Sequence, residues 1–196
     1  AGFIGSNLCD YLVDRKNKVT IIDDLSTGNI SNLTYIFDNI IFYNEKIESF
    51  DFNKLQKIDV VVHLAAQPSV PISIENFGDS SSSNILGSIK VIDYCRANLI
   101  PLIYASSSAV YGNLEIGDDQ NSEVDLLSPY ATDKYAMELY AKTANKLYQL
   151  SSIGLRFFNV YGPRQDPSSP YSGVISIFLD KLLHASNIKI NGGFQT

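Results

Sequence analysis

The chain has 196 residues, of which 45% are hydrophobic and 18% are charged, and its formal net charge is −6. This length and composition fit one globular domain, or one domain with part of another. The acidic balance and the lack of a basic run argue against a nucleic-acid-binding surface. No apolar run approaches the roughly 18 residues that cross a bilayer, and no signal peptide is visible, so we expect a soluble cytoplasmic protein without a membrane partner.

Helices and strands are predicted to alternate along the chain. Helices are indicated by apolar residues at helical spacing or by a Ser-Pro entry signal, at 6–17, 84–98, 128–147 and 175–185. Strands are indicated by short apolar runs rich in β-branched residues, at 18–24, 39–44, 57–66, 100–107, 151–162 and 187–191. This alternation predicts an α/β fold with a parallel sheet and crossover helices. The serine-rich stretch 79–84 is predicted to be a loop at the entry of a helix.

The chain contains two cysteines, and both lie in apolar helical patterns. We expect Cys9 and Cys95 to be buried, reduced thiols, and a disulfide is the alternative. With two histidines and no clustered cysteines, the sequence predicts no metal site.

The first residues, AGFIGSNL, predict part of a nucleotide-binding loop. Gly2 and Gly5 lie three apart before an amphipathic helix, which fits the last two glycines of a phosphate-binding loop or a plain helix entry. About 20 residues on, Asp23 ends a strand, where an acid would bind a ribose diol. No Arg or Lys follows closely, which favours NAD over NADP. The small residues that end the strand at 63–66 allow a dinucleotide to approach closely, or simply close packing.

Three further stretches carry candidate catalytic chemistry. SSSAVYG (106–112) ends a buried strand, at the sheet edge where α/β folds bind ligands. Tyr130 and Lys134 are one helical turn apart, so the lysine ammonium, together with a positive nicotinamide ring, would lower the pKa of the phenol and make it a base. A serine hydroxyl could relay or hold the substrate proton. Alone, the pair would equally fit the surface of a tyrosine-rich helix.

The third stretch is LRFFNVYGPRQ (155–165). Asn159 ends a strand and could hold a phosphate or sugar oxygen. Arg164 could make charge-assisted contacts with a diphosphate, or be a solvated loop cation. After Gly162 the composition turns rich in Pro, Ser and Gly, so we expect an NAD-binding domain at 1–162 and an incomplete substrate-binding region at 163–196.

Together these motifs resemble the extended short-chain dehydrogenase/reductase family, in its NAD-dependent nucleotide-sugar epimerase and dehydratase branch. They follow the family order along the whole chain: AGFIGSNL, IIDDLSTG, VVHLAAQ, Asn84-Ile-Leu-Gly, SSSAVYG, SPYATDKYAMEL, LRFFNVYGPRQ and NGGFQT. The resemblance implies a doubly wound, Rossmann-type parallel sheet. Since family members begin with a strand and a first loop glycine, it also implies that this chain lacks its central first strand and stops within the sugar-binding lobe.

The resemblance also implies the roles of individual residues. Tyr130 would be the general base, Lys134 its partner and a ligand of the nicotinamide ribose, and Ser107 the catalytic hydroxyl, with Ser108 a weaker candidate. The implied NAD contacts are Gly2, Phe3, Ile4, Gly5, Asp23, Leu25, Thr27, Gly28, Leu64, Ala65, Ala66, Asn84, Tyr130, Lys134 and Phe158. The implied substrate contacts are Ser107, Ser108, Tyr130, Asn159 and Arg164.

The motif Ser107-Ser108-Ala109 favours epimerisation within this branch. Dehydratases and decarboxylases of the branch carry an acid in this motif, because elimination needs an extra acid or base near the sugar. We therefore expect 4-epimerisation of a UDP-hexose with tightly bound NAD, with UDP-glucose and UDP-galactose favoured over the N-acetyl pair. The alternatives are another NAD-dependent nucleotide-sugar enzyme, such as a decarboxylase or dehydratase, and a non-catalytic NAD-binding regulatory protein. The resemblance further implies a homodimer formed through the helices around 85–98 and 130–147.

Overall fold

A computed structural model describes residues 1–114, 123–168 and 173–188. Its strands are β1 (Val19–Ile22), β2 (Ile40–Tyr43), β3 (Val61–His63), β4 (Leu102–Ser107) and β5 (Ser152–Phe157). Its α-helices are α1 (Phe3–Asp14), α2 (Val70–Glu75), α3 (Phe77–Asn98), α4 (Pro129–Tyr148) and α5 (Val174–Leu183). Short 3₁₀ segments cover Ile30–Asn39, Phe52–Lys54 and Ser108–Tyr111. The strand predicted at 187–191 reaches into 189–196 and lies outside the described residues.

The described strands form two parallel sheets. β1 pairs with β2, and β4 lies between β3 and β5 in a three-stranded sheet. Parallel neighbours need crossover connections, and helices supply several of them here. The predicted α/β class with a parallel, Rossmann-type arrangement is therefore confirmed. In the described part of the chain, no strand pairing joins β1 to β3.

Each sheet has its own cluster of buried apolar residues. The larger cluster lies where α3 and α4 cover one face of β4, and it comprises Val91, Ile92, Cys95, Leu102, Tyr104, Met137, Ala141, Ala144 and Leu150. The smaller one, beside β1, comprises Ala1, Ile21, Leu33 and Ile36. Leu102, Tyr104 and Ser106 are buried at alternate positions of β4, as the two-residue period of a strand requires.

Four aromatic side chains lie between β2 and α3. The ring centroids are 5.2 Å apart for Tyr43 and Phe50, 5.3 Å for Phe50 and Phe52, and 4.8 Å for Phe52 and Tyr94. Such tilted, edge-on and stacked contacts stabilise rings beyond the area they bury. This aromatic row, Tyr43, Phe50, Phe52 and Tyr94, bridges the two halves of the fold.

The loop predicted at 79–84 is wrong, because α3 begins at Phe77 and includes all of it. Serine is common at helix entries, but here contacts with other parts of the protein keep the stretch helical. Ser80 and Asn84 are buried, and each hydrogen-bonds Gln67 in the loop after β3. The other predicted elements before residue 187 occur with shifted ends. The helix predicted for 84–98 begins seven residues earlier, at Phe77. The strand predicted for 57–66 is only β3, and the one for 151–162 ends at Phe157. The short helix α2 was not predicted.

The two cysteines are free thiols, as predicted. The predicted burial holds for Cys95, whereas Cys9 is only partly buried because it lies on the less covered helix α1. Within the described ranges, none of the helices combines the length and the apolarity that a membrane crossing requires.

Candidate active site

The N-terminus of α1 has no side-chain cap. The helix begins at Phe3, directly after Gly2, which is extended and has no side chain to cap the helix. A Cβ on Gly2 would meet nothing within 4 Å among the described residues, and one on Gly5 would lie 3.7 Å from Leu64 Cδ1. The first-turn N–H groups and the helix dipole suit a phosphate group. The Gly2–Gly5 turn therefore fits the pyrophosphate of a dinucleotide.

Asp23 lies beside this turn. It follows β1 directly, and its Oδ1 accepts a hydrogen bond from the Leu25 backbone N–H at 2.8 Å. Its Oδ2 accepts one from the amino group of Ala1 at 2.9 Å. A Cβ on Gly28 would lie 3.0 Å from Asp23 Oδ1, so glycine lets this segment pack closely against the acid. The structure thus brings Asp23, Leu25 and Gly28 together near α1, and Thr27 is exposed close by.

The end of β3 lies against the same helix terminus. Leu64 contacts the Gly5 position, Ala66 is partly buried and Ala65 is exposed. Just before them, His63 is buried, and its Nε2 lies 3.1 Å from Ser88 Oγ. Burial, with a smaller contribution from the Lys134 charge, lowers the pKa of His63 to about 3, so the imidazole is neutral at physiological pH.

Asn84 acts on the site through the loop after β3. Its Oδ1 accepts a hydrogen bond from the Gln67 backbone N–H at 2.8 Å, and its Nδ2 donates to the Gln67 carbonyl at 3.3 Å. The same Nδ2 donates to Asp133 Oδ2 on α4 at 3.1 Å. Asn84 is only 5% exposed, so it holds the 64–67 segment against α3 and α4 from inside the protein.

The start of α4 is fixed by two serines. Ser128 caps the helix, its Oγ accepting a hydrogen bond from the Ala131 N–H at 3.1 Å, and Pro129 occupies the first turn. The Tyr130 N–H donates to Ser73 Oγ of α2 at 3.1 Å. These contacts set Tyr130 in the first turn of α4, next to the end of β4.

The structure brings Ser107, Tyr130 and Lys134 together. The Ser107 side chain lies close enough to the Tyr130 phenol to favour its ionised form, and its Oγ accepts a hydrogen bond from the Ala109 N–H at 3.1 Å. Lys134 Nζ lies 5.7 Å from the centroid of the Tyr130 ring and donates to the Ala105 carbonyl at 3.0 Å. The alternative that the tyrosine and lysine are an exposed surface pair is wrong, since Lys134 is 6% exposed.

The electrostatics differ from the sequence expectation at one point. Burial raises the pKa of Tyr130, and the hydrogen bond with Ser107 offsets part of that rise. Burial also lowers the pKa of Lys134 to about 8, against the opposing effect of the neighbouring Asp133 carboxylate. The pKa of the phenol is therefore raised and not lowered as the sequence predicts, because desolvation of the phenolate outweighs the effect of Ser107.

The remaining predicted residues lie around this group. Ser108 begins the 3₁₀ segment after β4. Phe158 and Asn159 follow β5 and are exposed, and the Phe158 ring centroid is 6.2 Å from that of Tyr111.

The guanidinium of Arg164 forms an ion pair with Asp10 on α1, and its side chain is 20% exposed. The alternative of a solvated loop cation is therefore wrong, and the contact of Arg164 with a diphosphate stays a prediction.

Sequence reasoning missed a charged pair next to the site. Glu138 on α4 binds Arg156 on β5 through two hydrogen bonds, of 2.9 Å to Oε1 and 2.7 Å to Oε2. Ser106 Oγ also donates to Glu138 Oε1, at 2.5 Å. A signal was available, because Glu138 follows Lys134 by four residues and so lies on the same helical face.

Known proteins resemble this chain over almost its whole length. A model of the NAD dependent epimerase/dehydratase family matches residues 1–195. A putative UDP-glucose 4-epimerase from Methanocaldococcus jannaschii is 39% identical over 203 residues, which cover 100% of this chain and 65% of that protein.

Two solved structures are also similar. UDP-N-acetylglucosamine 4-epimerase from Methanobrevibacter ruminantium, in complex with UDP-N-acetylmuramic acid, is 41% identical with a TM-score of 0.89, over 97% of this chain and 63% of that one. UDP-glucose 4-epimerase from Thermotoga maritima with UDP-glucose is 33% identical with a TM-score of 0.90, over 98% of this chain and 64% of that one. This chain thus spans just under two thirds of the length of these relatives. Since the family match runs over almost every residue, the chain belongs to the NAD-dependent epimerase/dehydratase family.

Proposed function

We propose that the protein is a UDP-hexose 4-epimerase that interconverts UDP-glucose and UDP-galactose through a 4-keto sugar, with NAD tightly bound. The observation that carries the proposal is the group of Ser107, Tyr130 and Lys134 at the junction of β4 and α4. Relatives named as UDP-glucose 4-epimerases support it. A purely NAD-binding regulatory protein would have no need of a buried lysine beside a serine-bound phenol.

In this proposal the residues around Tyr130 move and hold a proton. The Tyr130 oxygen takes the proton of the sugar 4-hydroxyl and later returns it. The Ser107 hydroxyl hydrogen-bonds both this oxygen and the sugar oxygen and so keeps them within proton-transfer distance. Held by the Gly2–Gly5 turn and Asp23, NAD would supply the acceptor for the C4 hydride and its donor for return to the other face of the sugar. Lys134, held by the Ala105 carbonyl, keeps a buried cation near the phenolate as it forms.

The same proposal assigns the NAD-binding residues. The turn from Gly2 through Phe3 and Ile4 to Gly5 holds the pyrophosphate, and Asp23 holds the adenosine ribose. Leu64–Ala66 lines the dinucleotide, and Phe158 lies by the nicotinamide. We further propose that 1–162 forms the NAD-binding domain and that the segment from 163 onward begins a substrate-binding region. Asn159, at the end of the first of these, and Arg164, at the start of the second, would act on the nucleotide diphosphate.

A second candidate is epimerisation of UDP-N-acetylglucosamine. It is favoured by the solved structure that carries that activity in its name and is 41% identical to this chain. A decarboxylase or dehydratase is less well supported, because Ser107-Ser108-Ala109 places no carboxylate where elimination would need one.

We also propose that the protein acts in the cytoplasm as a homodimer paired through α3 and α4. These helices pack on each other through the larger core cluster, and their outer surfaces still expose apolar side chains. Leu86 on α3 is 52% exposed, and Leu139 and Leu147 on α4 are 48% and 67% exposed. Light scattering after size-exclusion chromatography should give twice the mass of one chain, and replacing Leu147 by Lys should lower that mass.

The function is tested by product analysis with the full-length gene product. UDP-galactose and UDP-N-acetylgalactosamine are supplied separately, without added NAD, and the products are resolved by chromatography and mass spectrometry. We expect a C4 epimer of unchanged mass, and the faster substrate identifies the sugar. A lighter product would show elimination and contradict epimerisation, as would the absence of turnover with NAD supplied.

Tyr130→Phe tests the assignment of the base. We expect kcat to fall by about 100-fold or more, because the proton acceptor is gone while NAD-binding residues remain. Tyr140→Phe is the matched control, since Tyr140 lies on the same helix and is 48% exposed. Full activity of Tyr130→Phe would refute the proposed role of Tyr130.

A further inference from the structure

One face of α4 holds the end of β4 in place. Tyr130, Lys134 and Glu138 follow each other at intervals of four and therefore lie along one side of the helix. Lys134 Nζ donates to the Ala105 carbonyl, and Glu138 Oε1 accepts from Ser106 Oγ. The two residues directly before Ser107 are thus each bound by a charged side chain of the helix that carries Tyr130.

Arg156 extends this arrangement to the neighbouring strand. It lies opposite Ser106 in the parallel register of β4 and β5, and its guanidinium binds both Glu138 oxygens. The guanidinium carbon lies 4.8 Å from the centroid of the Tyr111 ring, which in turn contacts Phe158. Planar, two-point pairing of this kind fixes orientation as well as distance.

The pair is shielded from water. The side chains of Arg156 and Glu138 are 23% and 18% exposed, whereas in the Arg96–Asp93 pair of α3 the two side chains are 36% and 60% exposed. A partly buried bidentate pair is screened much less than a surface pair, so it resists displacement of the elements it joins. Glu138 and Arg156 therefore stiffen the junction of β4, β5 and α4, at which Ser107 meets Tyr130.

We propose that Glu138 and Arg156 are positioning residues of the active site, whose ion pair keeps the end of β4 against α4 so that the Ser107 hydroxyl stays beside the Tyr130 phenol. This inference rests on the proposed function in taking Tyr130 as the base. Neither residue contacts the reacting atoms. Both act through Ser106 and the segment that follows it.

The direction in which the pKa of Tyr130 changes in a Glu138 variant separates a positioning role of Glu138 from the effect of removing its charge. Tyr130 faces Lys134 on its own helix and Ser107 on β4. Lys134 is in turn influenced by the neighbouring Asp133 carboxylate, and its charge acts on the neutral His63 of β3. Glu138 is eight residues from Tyr130, about 12 Å along the helix. Removing its negative charge would by Coulomb's law lower the pKa of Tyr130 slightly. Loosening the Ser107 hydrogen bond would raise that pKa, because the bond favours the phenolate.

The experiment is a titration of Tyr130 in the full-length holoprotein carrying ¹³C at tyrosine Cζ. The resonance of Tyr130 is assigned by its loss in Tyr130→Phe. In Glu138→Gln we expect the pKa of Tyr130 to rise by about one unit, the value of one hydrogen bond to the charged form. In the activity assay we expect kcat to fall about tenfold or more, with its acid limb moved to higher pH.

Two further variants make the result decisive. Asp93→Asn removes a carboxylate from the exposed pair on α3 and should leave the Tyr130 titration unchanged. Ser106→Ala removes only the hydroxyl that joins β4 to Glu138, so it should raise the Tyr130 pKa by a smaller amount even if Glu138→Gln fails to fold. An unchanged or lowered Tyr130 pKa in the folded variants overturns the inference. If the wild-type protein epimerises no UDP-sugar, the proposed function fails, but the titration still decides whether Glu138 positions Ser107.

Discussion

Lys134→Met should make the nucleotide-free protein more stable at neutral pH while removing its activity. Lys134 is 6% exposed and its pKa is lowered from 10.5 to about 8, so burying the charged form costs about 3 kcal/mol. Methionine keeps an apolar chain of similar length without the charge. Losing the hydrogen bond to the Ala105 carbonyl costs about 1 kcal/mol, which offsets part of the stabilisation that comes from removing the buried charge. The net stabilisation expected at pH 7 is about 2 kcal/mol.

The pH dependence of this difference follows from the direction of the shift. Below pH 8 the lysine is protonated in both the folded and the unfolded state, and the whole penalty is present. Between pH 8 and 10.5 the folded state loses its proton first, so the unfolded state binds more protons and stability rises with pH. The wild-type protein should therefore recover most of the difference by pH 10.

Urea denaturation at pH 7 and pH 10, on protein freed of nucleotide, measures both values. Lys142→Met is the matched control, because Lys142 lies on α4 but is exposed, and it should change the free energy of unfolding by less than about 0.5 kcal/mol. A Lys134→Met variant that is less stable than wild type at pH 7 would refute the reasoning. The reasoning would also be refuted if Lys134→Met exceeded the wild type in free energy of unfolding by as much at pH 10 as at pH 7.

Two other substitutions test how the site is packed. Gly154→Ala should lower the free energy of unfolding, measured by urea denaturation, by about 1–3 kcal/mol, because its Cβ would lie 2.5 Å from Tyr104 Cζ. Gly78→Ala on α3 is the control, since its Cβ would meet nothing within 4 Å. This control should be neutral or stabilise the protein by up to about 1 kcal/mol. Asn84→Ala should lower the free energy of unfolding by about 2–4 kcal/mol and release bound NAD, because it removes the partner of the Asp133 carboxylate and of the Gln67 N–H. Asn98→Ala is the control, since Asn98 is exposed on the same helix. Equal losses of stability in the two variants would contradict this account.

Much of the fold could be predicted from the sequence because its signals are local. The apolar runs of β1 and β4 and the Ser-Pro entry of α4 carry their own periodicity and capping chemistry, and each forms the element predicted. The stretch 79–84 could not be predicted in the same way. Its helical state depends on Gln67, a residue distant in the sequence, which binds Ser80 and Asn84.

The residues of the candidate site, too, could be predicted only where the signal is local in the sequence. The spacing of Tyr130 and Lys134 predicted one helical face for both, the family resemblance added Ser107, and the structure brings the three together. The direction of the Tyr130 pKa shift depends on burial, which spacing does not reveal. The pairing of Arg164 with Asp10 joins residues 154 positions apart and has no local signature.

The aromatic row from Tyr43 to Tyr94 has a consequence for local unfolding. Its rings connect β2, which pairs with the strand that leads to Asp23, to α3, which carries Asn84. Loosening these rings would therefore act on the segment that carries Asp23 and on the helix that holds the loop after β3 at the same time.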